Sequence, residues 1–208
     1  MKQKKLRTLS HLLLPLMLFS GSANADGPRV VADIAPIHSL VSMVMDGVGQ
    51  PQLLVPQNIS PHHYSMRPSE AEALQEAQLV VYVGHDMSPW LEPILETLAA
   101  SASALDLSKV DNIMQLAFRE GPIFDDHDEE GHDDHGHGDL DPHFWFDMNR
   151  MADAAQLIGA ELTQITGDLG YTTCADTTAT QIQAAESDVR EILVSIPVEN
   201  RILVTDHD

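Results

Sequence analysis

The chain has one cysteine, Cys174, so no disulfide can close within it, and the thiol reads as a small buried hydrophobe. Basic residues are almost as scarce: 11 lysines and arginines stand against 32 aspartates and glutamates, for a formal charge of −21. Such a surface repels phosphates and anionic membranes and gathers cations, so nucleic acid is excluded as a partner. Long apolar runs are missing too. The longest, "LLLPLMLFS" at 12–20, falls short of the ~20 residues a spanning helix needs. It follows Lys2, Lys4, Lys5 and Arg7 and precedes "SANA", the pattern of a cleavable leader over residues 1–25. No cysteine lies near the cleavage point for a lipid to attach. A periplasmic, monomeric protein with no direct membrane insertion after cleavage is therefore expected.

What remains is globular. With 43% apolar residues, the 208-residue chain can build a core of one or two domains. "RVVADIA" at 29–35 reads as a strand, and after Pro36 the residues Ile37, Leu40, Val41 and Val44 fall at helical spacing. "QLLV" at 52–55 is a second strand. "SEAE" from Ser69 looks like a capping box opening a helix to about Ala77. "QLVVYV" at 78–83 is a nearly continuous apolar strand, and a helix is expected from Pro89. Strands alternating with helices imply an α/β fold, a parallel sheet flanked by helices.

Residues 119–141 break this rhythm with a polar loop rich in histidine and carboxylate, too hydrophilic to bury itself. Beyond it, 148–165 reads as a helix ended by Gly167. Residues 176–196 form a second helix, with Ile182, Val189 and Ile196 along one side and Pro197 closing it. "RILVTDHD" at 201–208 reads as a new buried strand opening a second, similar lobe that the chain does not complete. The expected organisation is thus a leader at 1–25, an N-terminal α/β lobe at 26–147, a helical linker at 148–200 with its backbone helix at 176–196, and the first strand of a further lobe at 201–208.

Ligands of open α/β sheets collect at the carboxyl ends of strands. His62 and His63 in "SPHHYSMRPSE", His143 in "DPHFWFD" and His207 in "TDHD" all belong to such segments. Three neutral imidazoles from distant loops are a donor set that Zn²⁺ selects, with a fourth position for a carboxylate or water. Imidazoles must be deprotonated to ligate, so protons compete for such a site. Other residues read more plainly. His38 is expected to make a helix-start hydrogen bond, and His85 and Asp86 are candidates for outer support of a metal site. Trp90, Phe144 and Trp145 read as packing residues. Met43, Met45 and Met66 make no soft-metal cluster, and no H-E-x-x-H signature points to hydrolysis.

"ADIAPIHSLV", "SPHHYSMRPSE", "VVYVG", "DPHFWFD" and "ILVTDHD", in this order and with a charged loop before the fourth, resemble the solute-binding proteins of zinc-type ABC importers. The likeness is greatest to the periplasmic zinc-uptake type with an acidic histidine-rich loop. The resemblance implies two α/β lobes joined by a backbone helix, with the metal in the cleft between them. It also implies His62, His143 and His207 as ligands and a permease in the inner membrane as the partner that receives Zn²⁺. This sequence departs from the pattern at Pro61, where some members carry a ligating glutamate, and at His63, where aspartate is frequent. His63, together with the loop residues His127, His132, His135 and His137, is an auxiliary metal candidate. The competing readings are a manganese or iron homologue, a secreted zinc buffer that uses only the loop, and a zinc hydrolase.

Overall fold

The computed structural model describes residues 27–110, 116–117 and 140–201. Strand β1 (Val30–Ala32) leads into helix α1 (Ala35–Met45), followed by β2 (Gln52–Leu53), α2 (Pro68–Glu76), β3 (Leu79–Tyr82), α3 (Leu91–Leu98) and β4 (Ser103–Asp106). The four strands form one parallel sheet in the order β2-β1-β3-β4. Two further strands, β5 (Leu116–Ala117) and β6 (Leu140–Asp141), pair antiparallel, and α4 (Met148–Thr166) and α5 (Gly170–Ser195) follow.

The two central strands are apolar throughout because both faces are covered. Val30, Ala32, Leu79 and Val81 point to one side, where they meet Ile37, Leu40, Val41 and Val44 of α1, Ile158 and Leu162 of α4, and Tyr171 and Ala175 of α5. Their alternates Val31, Val80 and Tyr82 point to the other, against Leu74 of α2 and Leu91 and Leu95 of α3. The expected α/β fold is the one observed, with helices on both faces and a long helix, α5.

Several expectations need correction. Strand β4 had no counterpart in the reading of the sequence. "SALD" lies at the sheet edge with a partly exposed burial pattern, so it needs no continuous apolar run. Helix α2 begins at Pro68, not Ser69. A proline at the first helical position needs no donor, and Glu70 Oε2 accepts from the Arg67 N–H at 2.6 Å. Helix α5 starts at Gly170, ahead of the expected residue 176. Its supposed stripe divides: Ile182 packs on the core, whereas Val189 is 40% exposed. Cys174 is partly exposed on α5, its Sγ 3.9 Å from Asp46 Oδ2, and is not buried. Arg201 lies just past α5, and its guanidinium donates to the carbonyls of Ile196 at 2.8 Å and Val194 at 3.0 Å, satisfying the end of that helix. The leader at 1–25 and the strand segment 202–208 lie outside the described residues.

Helix α4 is framed as its sequence implies. Asp147 Oδ1 accepts from the Asn149 and Arg150 amides at its start, and Gly167 takes the left-handed conformation (φ 75°) that ends it. Where α4 packs on α5 the chains approach closely at Gly159. A Cβ there would collide with the Ala175 Cβ and lie 2.8 Å from the Tyr171 carbonyl oxygen. Gly159→Ala is expected to destabilise the fold by about 1–3 kcal/mol through overpacking. A second substitution, Ala175→Gly, should recover part of that loss in urea denaturation. An unchanged midpoint for Gly159→Ala would mean that the helices do not meet as closely as described.

Candidate metal centre

The loop from β2 to α2 carries His62 and is tied down on both sides of it. Trp90 Nε1 donates to the Pro61 carbonyl at 2.7 Å, and the Tyr64 hydroxyl donates to the Glu70 carboxylate at 2.8 Å, with the Tyr64 and Trp90 rings edge to face at 5.6 Å. Trp90 therefore does more than the packing expected of it, since its indole N–H fixes the residue next to His62.

His143 lies two residues past the end of β6, after Pro142, and opens the short turn Phe144–Phe146 that leads into α4. Phe144 is buried and anchors that turn. The His143 ring, 13% exposed, is held from two directions. Asp141 Oδ1 lies 2.6 Å from Nδ1 and also accepts from the His143 backbone N–H at 2.9 Å, while Trp145 meets the ring edge to face at 5.1 Å. A carboxylate on Nδ1 favours the tautomer whose lone pair is on Nε2.

The fold brings these two histidines together, with ring centroids 6.2 Å apart and planes crossing at 67°. A cleft of about 480 Å³ opens beside His143, lined by Asp141, Phe146 and Arg150 on one side and by Val189, Arg190 and Leu193 of α5 on the other. His63 is adjacent and exposed. Among the described residues no three His, Cys, Asp or Glu side chains are disposed to hold a metal together. His207 and the loop residues His127, His132, His135 and His137 lie outside the described residues.

The remaining described histidines, His38 and His85, are engaged elsewhere. His38 Nε2 lies 3.0 Å from the Pro51 carbonyl, so its partner is the lead-in to β2 and not the start of α1. His85 is exposed, with Nδ1 3.1 Å from Glu92 Oε2, and Lys109 links Glu92 to Asp106.

One functional-looking group escaped the reading of the sequence. Asp33 is fully buried at the end of β1; Oδ1 accepts from the Ile34 amide at 2.7 Å and Oδ2 from the Val83 amide at 2.8 Å. Burial raises its pKa to about 7, against the lowering effect of those amides and with a further rise from Asp106. Nothing in "VADIA" marks Asp33 as buried, because Val83, the residue after β3, is far away in the chain.

The chain matches the family described as "Zinc-uptake complex component A periplasmic" over residues 30–208. It belongs to that family. Relatives of this zinc-uptake family include the high-affinity zinc uptake system protein ZnuA of Brucella abortus, 34% identical over 173 residues that make up 68% of this chain and 52% of that protein. ZnuA of Yersinia pestis is 27% identical over 212 residues, 95% of this chain and 65% of that protein. The chain thus spans roughly half to two-thirds of the length of these relatives. Among solved structures, a ZnuA deletion mutant with zinc bound shares the fold at a TM-score of 0.67 and 22% identity, over 83% of this chain and 60% of the other. A Mn-bound periplasmic metal binding protein from candidatus Liberibacter asiaticus does so at 0.65 and 15%, over 83% of this chain and 59% of its own. A helix long and apolar enough to cross a membrane is absent among the described residues of this family member.

Proposed function

We propose that this chain captures Zn²⁺ in its cleft and delivers it to the zinc ABC transporter permease in the inner membrane, performing no chemistry on it. The observation that carries the reading is the meeting of His62 and His143, from loops far apart in sequence, with a carboxylate behind one ring. The donors suit the ion. Zn²⁺ takes neutral imidazole nitrogens at about 2.0–2.1 Å, and two rings sharing one ion reach across about the spacing found here. Harder ions such as Mn²⁺ prefer oxygen donors. His207 is the proposed third ligand, with a carboxylate or water completing the set. His63, His127, His132, His135 and His137 are proposed to collect zinc weakly and in many geometries.

The division into leader (1–25), N-terminal lobe (26–147), helical linker (148–200) and the start of a second lobe (201–208) belongs to the same proposal, as does export of a monomer to the periplasm. Removing residues 125–139 tests it. Competition with a chelator of known zinc affinity should find one tight site retained and the weak sites lost. Loss of all binding would make the chain a buffer that works through its loop.

A further inference from the structure

We propose that Asp141 is the positioning residue of the centre, and that the two-residue ladder at the foot of the acidic loop is what holds it in place. The inference rests on the reading of His143 as a ligand. Asp141 Oδ1 engages His143 twice, at the ring Nδ1 (2.6 Å) and at the backbone N–H (2.9 Å), so the carboxylate cannot swing away without breaking both contacts. Its own backbone is fixed by pairing: Asp141 stands opposite Leu116 and Leu140 opposite Ala117 in the antiparallel β5–β6 pair. The ends of the intervening acidic segment are thereby closed directly onto the residue that orients the ring. Trp145, edge to face with the ring at 5.1 Å, limits the remaining freedom of rotation.

The chemistry follows from which nitrogen carries the proton. A carboxylate accepting from Nδ1–H presents Nε2 as the donor and makes it a better one, which is how carboxylates behind metal-bound histidines act. Without Asp141 the neutral ring loses the contact that favours the Nδ1–H form, so the other tautomer gains population and a zinc ion has to select the productive form from the mixture.

The test uses the full chain and three variants, Asp141→Ala, Asp141→Asn and Asp141→Glu. Two quantities are read at a pH where the imidazole is neutral: tight-site Zn²⁺ affinity by chelator competition, and the metal-free His143 tautomer from long-range ¹H–¹⁵N correlations. Asp141→Ala should lose about 10- to 100-fold in affinity and shift the ring from the Nδ1–H form toward a mixture. Asp141→Asn keeps an acceptor oxygen and should fall between this variant and the parent in both readouts, which also guards against a folding defect in the alanine variant. Asp141→Glu should fall below Asp141→Asn, because the longer side chain cannot serve the ring and the backbone amide from the same place. An affinity loss with an unchanged tautomer would overturn the proposal, as would parental affinity in Asp141→Ala. The tautomer is measured without metal, so a failed zinc reading, seen as unchanged affinity in His143→Ala, is told apart from a failed positioning role.

Discussion

Replacing His143 by alanine is expected to weaken tight Zn²⁺ binding by at least about 100-fold, or roughly 2.7 kcal/mol, while leaving the fold intact. The expectation follows from how little of the fold depends on the imidazole. The turn that carries it is anchored by buried Phe144, and α4 behind it is capped by Asp147 and packed through Ile158 and Leu162. What the substitution removes is one of the two imidazoles that meet edge to face, the one with a carboxylate on Nδ1. His62, the proposed ligand His207 and a carboxylate left facing the cleft cannot reproduce a three-imidazole tetrahedral set. The measurement is chelator competition in protein lacking residues 125–139, so that weak loop sites do not mask the loss. Circular dichroism and metal-free thermal unfolding should match the parent. Equal affinities for parent and variant would remove His143 from the site, and a collapsed metal-free melt would show that the ring holds the fold.

The second large effect concerns Asp33 and pH. Its folded-state pKa of about 7 stands well above its ordinary value of 3.8, chiefly because the carboxyl is buried. A raised folded-state pKa means that the folded protein holds a proton that the unfolded chain releases as pH climbs past about 4. Stability from this group is therefore complete below about pH 4, declines as pH rises, and is exhausted above about pH 7. The span corresponds to about 4 kcal/mol. Asp33→Asn cannot ionise, and it also turns an amide N–H toward one of the two backbone donors, which costs a hydrogen bond at every pH. The difference in unfolding free energy between parent and Asp33→Asn should thus move by about 4 kcal/mol in favour of the variant between pH 4 and pH 8. Urea denaturation at several pH values measures it. A difference that stays constant over that range would mean that Asp33 is ionised throughout.

Much of this protein is legible one segment at a time. "LVVY" must be a strand covered on both faces, because four consecutive apolar β-formers have no exposed side to spare. Gly167 ends α4 because a left-handed residue is needed there and glycine adopts it without strain. His62 and His143 stand out as donors because of their residue type and neighbouring motifs, and the family resemblance joins them to His207. Only the tertiary structure decides the rest. Strand β4 exists because β3 offers it an edge, not because "SALD" prefers to be extended. Trp90 fastens the His62 loop, and Asp33 joins β1 to the residue after β3, through backbone groups remote in sequence. Asp141 gains its role from β5, which holds its backbone across the whole acidic loop. In each case local preference is weak and the partner is distant, so a long-range hydrogen bond or strand pairing, which no short window of sequence contains, settles what the residue does.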